Sequence, residues 1–112
     1  MKEIRAYIQP FMLQKVTDAL HRIHVHGMSV WEIKGFGREK DESYPHHVSD
    51  QLVDFVPKIR IEIICEEDQV KVIVETIEKA AHTGRKGDGK ILVFDVLEAL
   101  SIRTGKKGSE AI

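Results

Sequence analysis

The stretch Thr83-Gly84-Arg85-Lys86-Gly87-Asp88-Gly89-Lys90, which runs directly into Ile91-Leu92-Val93-Phe94, marks where a predicted helix gives way to a predicted strand. It contains three glycines and three cations in eight residues. Glycine accepts positive φ and lets a ligand approach the main chain closely. Backbone amides exposed beside Lys and Arg side chains form a cradle for anions such as phosphate. The composition predicts a phosphate-binding turn, although a helix-to-strand turn without a ligand fits the same residues.

This glycine-rich turn (residues 83–90) matches the phosphate loop of nucleotide hydrolases only in part. Gly84 to Lys90 has the spacing G-x-x-x-x-G-K, but Ile91 stands where Ser or Thr would hold magnesium. The structural context is also reversed, because a phosphate loop leaves a strand and opens a helix, whereas this turn leaves a helical pattern and opens a strand. The sequence therefore does not support a P-loop hydrolase.

Composition excludes several classes of protein. The chain has 112 residues, which indicates one domain, and its 17 basic and 18 acidic residues give a net charge of -1. A general nucleic-acid-binding protein would have a strongly basic face. The single cysteine, Cys65, cannot form a disulfide within the chain and fits a reducing cytosol. Because no apolar stretch reaches the roughly 18 residues of a membrane span, we expect a cytoplasmic protein without direct membrane insertion.

The spacing of apolar residues predicts two helices and four strands. The helices are indicated by apolar residues three or four positions apart: Leu13, Val16, Leu20 and Ile23 in the first, and Val70, Ile73, Val74, Ile77 and Ala80 or Ala81 in the second. Gly27 and Gly84 are the expected helix stops, and Asp68 is the expected cap of the second helix. Strands are predicted over 4–8, 28–34, 59–63 and 91–96. Consecutive apolar residues in the last strand suggest burial on both of its faces.

The order strand–helix–strand occurs twice, separated by a long segment without periodicity. This order is typical of a ferredoxin-like βαββαβ sandwich. In this α+β fold, two helices lie on one face of a four-stranded antiparallel sheet, and here a long loop would protrude between strands 2 and 3. We expect one domain over 1–112, with the loop at 37–55 and a flexible tail at 104–112. Because two helices cover only one face, we expect identical subunits to cover the fourth strand, Trp31 and Ile64. Simple exposure is the alternative.

Several blocks of residues carry a resemblance to a known family: Gly35-Phe36-Gly37-Arg38, Val53-Asp54-Phe55-Val56-Pro57-Lys58 with Ile59, Ile61, Glu62 and Ile63, Thr83-Gly84, Gly87-Asp88-Gly89-Lys90-Ile91, Val93-Phe94-Asp95-Val96, and Ile102-Arg103-Thr104-Gly105. Together they resemble the P-II family of nitrogen-regulatory signal proteins, over essentially the whole chain and without gaps. The resemblance implies a non-catalytic homotrimer that binds ATP or ADP in clefts between subunits. Its long loop would regulate a membrane transporter or a metabolic enzyme.

The resemblance also implies roles for individual residues. The phosphates would be held by Gly87, Asp88, Gly89 and Lys90, with Lys90 as the main cation. Three other nucleotide contacts would come from the start of the long loop: Gly35, Gly37 and Arg38. The nucleotide's base would be held by Met28, Ser29, Glu62 and Ile64, and Arg103 of the neighbouring chain would reach the phosphates. Lys58 would face the carboxylate of 2-oxoglutarate, the second ligand of the family.

The chain departs from the family pattern within the loop. Gln51 occupies the position of a tyrosine that is uridylylated in many P-II proteins, and because glutamine has no phenol, that modification is chemically excluded here. Glu39 replaces a glutamine that helps to bind Mg²⁺ and 2-oxoglutarate. A carboxylate oxygen can still ligate Mg²⁺, but its charge repels a dicarboxylate, so we predict weak or absent 2-oxoglutarate binding. Ser101 replaces a common arginine and removes one phosphate contact.

Histidines allow a competing interpretation. His46 and His47 lie near loop carboxylates, a combination that binds divalent metals, although a solvated polar loop is the favoured interpretation. His21, His24 and His26 are a similar case, for which an exposed polar face or end-of-helix charge is the favoured interpretation. The alternative function is therefore a metal- or bicarbonate-linked regulator of a transport system. A nucleotide hydrolase is disfavoured, because no convincing nucleophile or general base stands beside the glycine-rich turn.

Overall fold

The computed structural model describes residues 1–35 and 55–112. Its strands and α-helices follow the predicted order: β1 (Lys2–Ile8), α1 (Leu13–Arg22), β2 (Ser29–Gly35), β3 (Val56–Cys65), α2 (Val70–Ala81) and β4 (Gly89–Asp95). Short 3-10 turns lie at Pro10–Met12, Glu67–Gln69 and Gly108–Ala111. The predictions for most of the long loop fall outside the described residues: those for Gly37, Arg38, Glu39, His46, His47 and Gln51.

All strand pairs of the sheet are antiparallel, in the spatial order β2-β3-β1-β4. The two halves interleave, because β1 pairs with β3 from the second half and with β4. This order confirms the predicted ferredoxin-like fold. It also makes β2 and β4 the two edges of the sheet, and the distance between these edges matters for the functional site.

One face of the sheet holds the core, because alternate residues of the central strands point toward the helices. The buried set consists of Ile4, Ala6 and Ile8 from β1, Ile59, Ile61, Ile63 and Cys65 from β3, Val16 and Leu20 from α1, and Ile73, Ile77, Ala80 and Ala81 from α2. These helical residues are the predicted apolar stripes, at the spacing that places them on one side of each helix. The burial of Cys65 agrees with its interpretation as a packed side chain.

The end of α1 differs from the prediction at Gly27. The helix ends at Arg22, and His24 takes the left-handed conformation with φ of 67°. The amide of His24 donates to the carbonyl of His21 at 3.0 Å, and that of Val25 donates to the carbonyl of Leu20 at 3.0 Å. These two bonds form a Schellman cap, in which glycine is the usual residue at the left-handed position. A histidine, four positions after Leu20, therefore stops the helix.

The start and end of α2 also differ in detail from the prediction. Glu66, rather than Asp68, caps the 3-10 turn that leads into α2: the Glu66 amide donates to Oε1 of Gln69 at 3.1 Å, and the Gln69 amide donates to the Glu66 carbonyl at 3.0 Å. This exchange resembles a capping box shifted by two residues from the expected position. The helix ends at Ala81, where His82 becomes extended, and Gly84 lies beyond it with φ of 84°.

The prediction that both faces of β4 are buried is wrong for the single chain. Leu92, Val93 and Phe94 are 37%, 46% and 40% exposed. On the sheet face opposite the helices, here called the open face, Trp31 and Ile64 are each 41% exposed. The open face thus exposes several large apolar side chains together, whereas protein surfaces usually expose such side chains singly. The covering subunit that the sequence suggested stays a prediction.

Candidate functional site

The glycine-rich turn connects α2 to β4 and is anchored at Gly87. The carbonyl oxygen of this residue accepts hydrogen bonds from Nε2 of Gln9 at 2.7 Å and from Nζ of Lys58 at 2.5 Å. Gln9 is only 8% exposed, so it is a buried polar side chain whose amide is satisfied by the turn. In a trans peptide the carbonyl and the following N–H point in opposite directions, so the amide of Asp88 points away from these two donors.

Asp88 organises the turn from within. Its carboxylate accepts hydrogen bonds from the amide of Thr83 at 2.8 Å, the amide of Gly84 at 2.9 Å and the hydroxyl of Thr83. Partial burial by itself raises the pKa of Asp88, but the bonds from Thr83 and Gly84 outweigh burial and lower the pKa below its ordinary value of 3.8. The carboxylate is thus committed to the turn. The main chain of Asp88, rather than its side chain, is therefore the part suited to contact an anion.

Glycine is required at two positions of the turn. Gly89 has φ of 108°, and a Cβ added there would lie 1.7 Å from the carbonyl oxygen of Tyr7 in the neighbouring strand. Gly87 has φ of 92°, and its Cβ would lie 2.8 Å from Nε2 of Gln9. L-residues avoid such φ values, and the clash with Tyr7 involves main chain that cannot rotate away. The glycines therefore let the turn pack directly against β1.

Positive charge surrounds the turn. The side chains of Arg85 and Lys86 are exposed, and Nζ of Lys90 lies 5.9 Å from the ring centroid of Tyr7. His82 adds an imidazole whose Nδ1 is 3.8 Å from Oδ2 of Asp88. Between α2 and β4, a crevice of about 370 Å³ reaches the turn and is lined by Ile8, Val74, Ile77, Ala81, Gly89 and Ile91, among others. Apolar walls beside a cationic turn suit a ligand with a phosphate end and a flat apolar part.

The residues predicted to contact the base lie elsewhere in the sheet. Ser29 pairs with Glu62 across β2 and β3, while Ile64 is exposed on the open face and Met28 packs at the edge of the core. Glu62 is held by two arginines: its Oε1 lies 3.3 Å from Nε of Arg5 and 3.2 Å from Nε of Arg60. These arginines stack at 4.7 Å on aromatic rings, those of Phe94 and Trp31. A row of charged and aromatic groups therefore crosses the middle of the open face.

A single chain does not bring the two predicted groups together. Ser29 lies on β2 and Lys90 on β4, at opposite edges of the sheet, so three strand spacings, or about 14 Å, separate them. Side chains of β1 and β3, including those of Arg5 and Arg60, stand between the two edges. The turn and the region of Ser29 could meet around one ligand only if the edges of two different copies came together.

The remaining predicted residues are placed as follows. Lys58 lies at the turn, through its bond to Gly87, and Gly35 ends β2 opposite Val56. Arg103 is exposed at the end of a C-terminal hairpin, which is closed by the bridge between Leu100 and Lys107 and by the 2.9 Å bond from the Ser101 amide to the Lys106 carbonyl. The predicted flexibility of residues 104–112 stays a prediction.

Sequence reasoning missed two residues that build the site. Gln9 follows the strand predicted over 4–8 and has no assigned role there, yet it anchors Gly87 from 78 positions away in the chain. Thr83 was quoted only as part of a motif, yet its amide and hydroxyl both bind Asp88. The Thr-to-Asp spacing of five residues across glycines was a usable signal for a side-chain-locked turn. Nothing local to Gln9 indicates its distant partner.

Comparisons with known proteins agree on one family. A family model described as "Nitrogen regulatory protein P-II" matches residues 1–106. The chain is 48% identical over its full length to a nitrogen regulatory protein P-II of Azospirillum brasilense, and 46% identical to nitrogen regulatory protein P-II 1 of Escherichia coli strain K12, each covered completely. A crystal structure of Arabidopsis thaliana PII bound to citrate superposes with a TM-score of 0.80 at 34% identity, covering 99% of this chain and 91% of that one.

Proposed function

The chain belongs to the nitrogen regulatory protein P-II family, and we propose that it binds ATP or ADP in clefts between identical subunits. Like its relatives, it is a signalling regulator rather than an enzyme. P-II proteins bind small effectors, form oligomers and regulate partner proteins. The proposal assigns the nucleotide to the glycine-rich turn of one subunit and to the region of Met28, Ser29, Glu62 and Ile64 of another.

The observation that carries the proposal is the anchored carbonyl of Gly87. Because Gln9 and Lys58 bind this carbonyl, the amide of Asp88 points away from these two side chains. Lys90 follows two residues after Asp88. Charge-assisted bonds from such donors to phosphate oxygens are each worth very roughly 1.5–3 kcal/mol net. Several of them are needed, since burying phosphate charge without neutralisation would be prohibitive.

The geometry of the sheet supports a shared site. The turn lies at the β4 edge. Of the proposed base contacts, Ser29 lies on β2 at the opposite edge, about three strand spacings away, and Glu62 and Ile64 lie on the adjoining strand β3. Rotational assembly of three copies would place one kind of edge beside the other at every junction. It would also cover the apolar side chains of the open face. We therefore propose a homotrimer, with Arg103 of the C-terminal hairpin reaching the phosphates across the junction.

Binding of 2-oxoglutarate, the second effector, is expected to be weak. The Arabidopsis relative was crystallised with citrate, a polycarboxylate. In this chain, Lys58 supplies a cation near the turn, and Glu39 could ligate Mg²⁺ but would oppose a dicarboxylate. We propose that 2-oxoglutarate binds weakly or not at all, whereas the adenine nucleotide is the main signal.

The output of the proposed sensor is a protein partner. Residues 37–55, with Gly35 at their base, would present the nucleotide state to a membrane transporter or a metabolic enzyme in nitrogen or related regulation. Among the described residues, no helix has the length and apolar character needed to cross a bilayer. We propose a cytoplasmic protein that meets a transporter through the loop.

Isothermal titration with ATP and ADP tests the site, and sedimentation equilibrium tests the assembly. Lys90→Ala should weaken nucleotide binding at least tenfold, because it removes the cation that follows the anchored amide. Lys71→Ala, which removes an exposed cation of α2, is the matched control and should bind like the wild type. Unchanged affinity in the Lys90 variant would contradict the proposed phosphate contact, and a mass of one chain at micromolar concentration would contradict the shared cleft.

A further inference from the structure

Three imidazoles gather where α1 ends, at the far side of the domain from the glycine-rich turn. The ring centroids of His21 and His26 are 5.7 Å apart with planes at 84°, and those of His24 and His26 are 6.2 Å apart at 47°. All three side chains are exposed. We call this group the histidine cluster (His21, His24 and His26). Its members are separated by three and two positions, so only the first two would meet on a regular helix.

The fold, rather than helical spacing, brings the third histidine in. The Schellman cap reverses the chain direction at His24, which has φ of 67°. Leu20 is fully packed in the core and Val25 packs against it, so the residues on both sides of the cap are fixed. His26 therefore lies beside His21, and the backbone conformation of the cap brings the two residues together.

The spacing of the rings suits a shared metal ion. With metal–nitrogen distances of about 2.0–2.1 Å, an imidazole centroid lies about 3.2 Å from the ion, so two centroids at a tetrahedral angle are about 5.2 Å apart. His21 and His26 are within about half an ångström of that spacing, and their nearly perpendicular planes avoid a clash between the rings. In the described part of the chain no three ligand side chains already converge on one point, so the third ligand requires a ring rotation.

We propose that the histidine cluster binds a late first-row divalent cation, of the class of Zn²⁺, Ni²⁺ and Cu²⁺. His21 and His26 are the first two ligands, His24 joins after rotation about its side-chain bonds, and water completes the shell. Neutral imidazole is the ligand that this class of cation shares. The carbonyl end of α1, with its partial negative charge, further favours a cation at this place.

The proposed metal site is separate from the proposed nucleotide site in the same chain. Gln9, which anchors the glycine-rich turn, precedes residues 10–22, and about 13 residues at about 1.5 Å each place the cluster about 20 Å from it. The cluster does, however, lead directly into Met28 and Ser29, the proposed base contacts supplied by this subunit to its neighbour. Metal binding is thus positioned to stiffen the segment that reaches the neighbouring cleft.

Calorimetric titration with Zn²⁺ alone, on the full-length protein near neutral pH, tests the proposal. Because His46 and His47 are further potential ligands, the reference protein is the His46→Ala/His47→Ala variant. We expect it to retain one zinc ion per chain. Adding His21→Ala and His26→Ala to this reference should lower zinc affinity at least tenfold, and adding His24→Ala alone should lower it less. His82→Ala, which removes an exposed histidine outside the cluster, is the matched control and should leave zinc affinity unchanged.

A second measurement keeps the test independent of the variants. In the wild-type protein, zinc should shift the imidazole ¹H–¹⁵N signals of His21 and His26 and raise the melting temperature. The reference protein should show the same melting-temperature rise, and the rise should be absent from the reference protein's His21→Ala/His26→Ala derivative, whose fold is checked by circular dichroism. Equal zinc affinity in the reference protein and in its His21→Ala/His26→Ala derivative would overturn the proposal. Unshifted imidazole signals of these residues at saturating zinc would overturn it as well.

Discussion

Asp88 offers the sharpest test of how the glycine-rich turn is held, through the substitution Asp88→Asn. The carboxylate accepts three hydrogen bonds, from the amide and hydroxyl of Thr83 and from the amide of Gly84. Asparagine keeps the shape of the side chain and one carbonyl oxygen. It loses the negative charge and the second acceptor, so the three donors can no longer all be satisfied by this side chain.

The magnitude follows from the count of bonds. A hydrogen bond to a charged group contributes about 1.5–3 kcal/mol net, with the lower end appropriate here because the Asp88 side chain is 23% exposed. Asparagine loses the equivalent of one such bond and weakens the others. We expect the free energy of unfolding to fall by about 1.5–2.5 kcal/mol at neutral pH. Nucleotide affinity should fall too, since the turn is then less ordered before binding.

The pH dependence gives the experiment its direction. The folded state lowers the pKa of Asp88 below its ordinary value of 3.8, so the native state favours the ionised form. Its stabilisation is complete above the unfolded-state pKa and is lost as the pH falls through the folded-state pKa. The stability difference between wild type and Asp88→Asn should therefore be constant from about pH 7 to about pH 5 and should shrink below about pH 4.

Urea unfolding followed by far-UV circular dichroism measures this difference, at one protein concentration throughout because association stabilises oligomers. Asp18→Asn is the control: Asp18 accepts a single exposed hydrogen bond from Gln14 at 2.8 Å, and its replacement should change stability by less than about 0.5 kcal/mol. A wild-type minus Asp88→Asn difference that is small at neutral pH, or that stays constant in acid, would refute the carboxylate-locked turn.

Two further predictions concern backbone conformation. Gly89→Ala should lower the free energy of unfolding by at least about 3 kcal/mol, because it adds strain at φ of 108° to a 1.7 Å clash with the carbonyl of Tyr7. The control is Gly27→Ala, whose Cβ would meet nothing within 4 Å and which should unfold like the wild type in the same urea titration. An equal loss of stability in both variants would contradict the clash. His24→Gly should raise the free energy of unfolding by about 0.5–1 kcal/mol, since relief of left-handed strain exceeds the added entropy of the unfolded chain. Thermal melts should show no such gain in stability for His24→Ala. A destabilised His24→Gly variant would argue against strain at this cap.

Local signals in the chain were sufficient for the order of elements and for the location of the turn. The stripes of α1 and α2 and the alternation in β3 are set by residues close together in sequence, so periodicity revealed them. Helix ends were less accurate. The stop at His24 depends on a cap in which histidine replaces the usual glycine, and the cap at Glu66 depends on a reciprocal bond with Gln69.

The residues that build the site from afar could not be read in this way. Gln9 and Lys58 bind Gly87 only because the end of β1 and the start of β3 lie beside the turn, an effect of strand order that no local pattern encodes. The same holds for the histidine cluster, since His26 approaches His21 only after the chain reverses. The cover of β4 could not be assigned from the sequence either, because an apolar strand looks the same whether its cover comes from its own chain or from another.

The amino-acid sequence alone determined the ferredoxin-like order of strands and helices, the family to which the chain belongs, and the cationic, glycine-rich character of residues 83–90. These properties depend on residue type and short-range spacing, which are written directly in the chain. Only the tertiary structure decided that the turn is fixed through one carbonyl by two distant side chains, and that Ser29 and Lys90 lie at opposite sheet edges. The reason is physical: contacts between residues far apart in sequence depend on how the strands are ordered in space, and that order arises only when the whole sheet assembles.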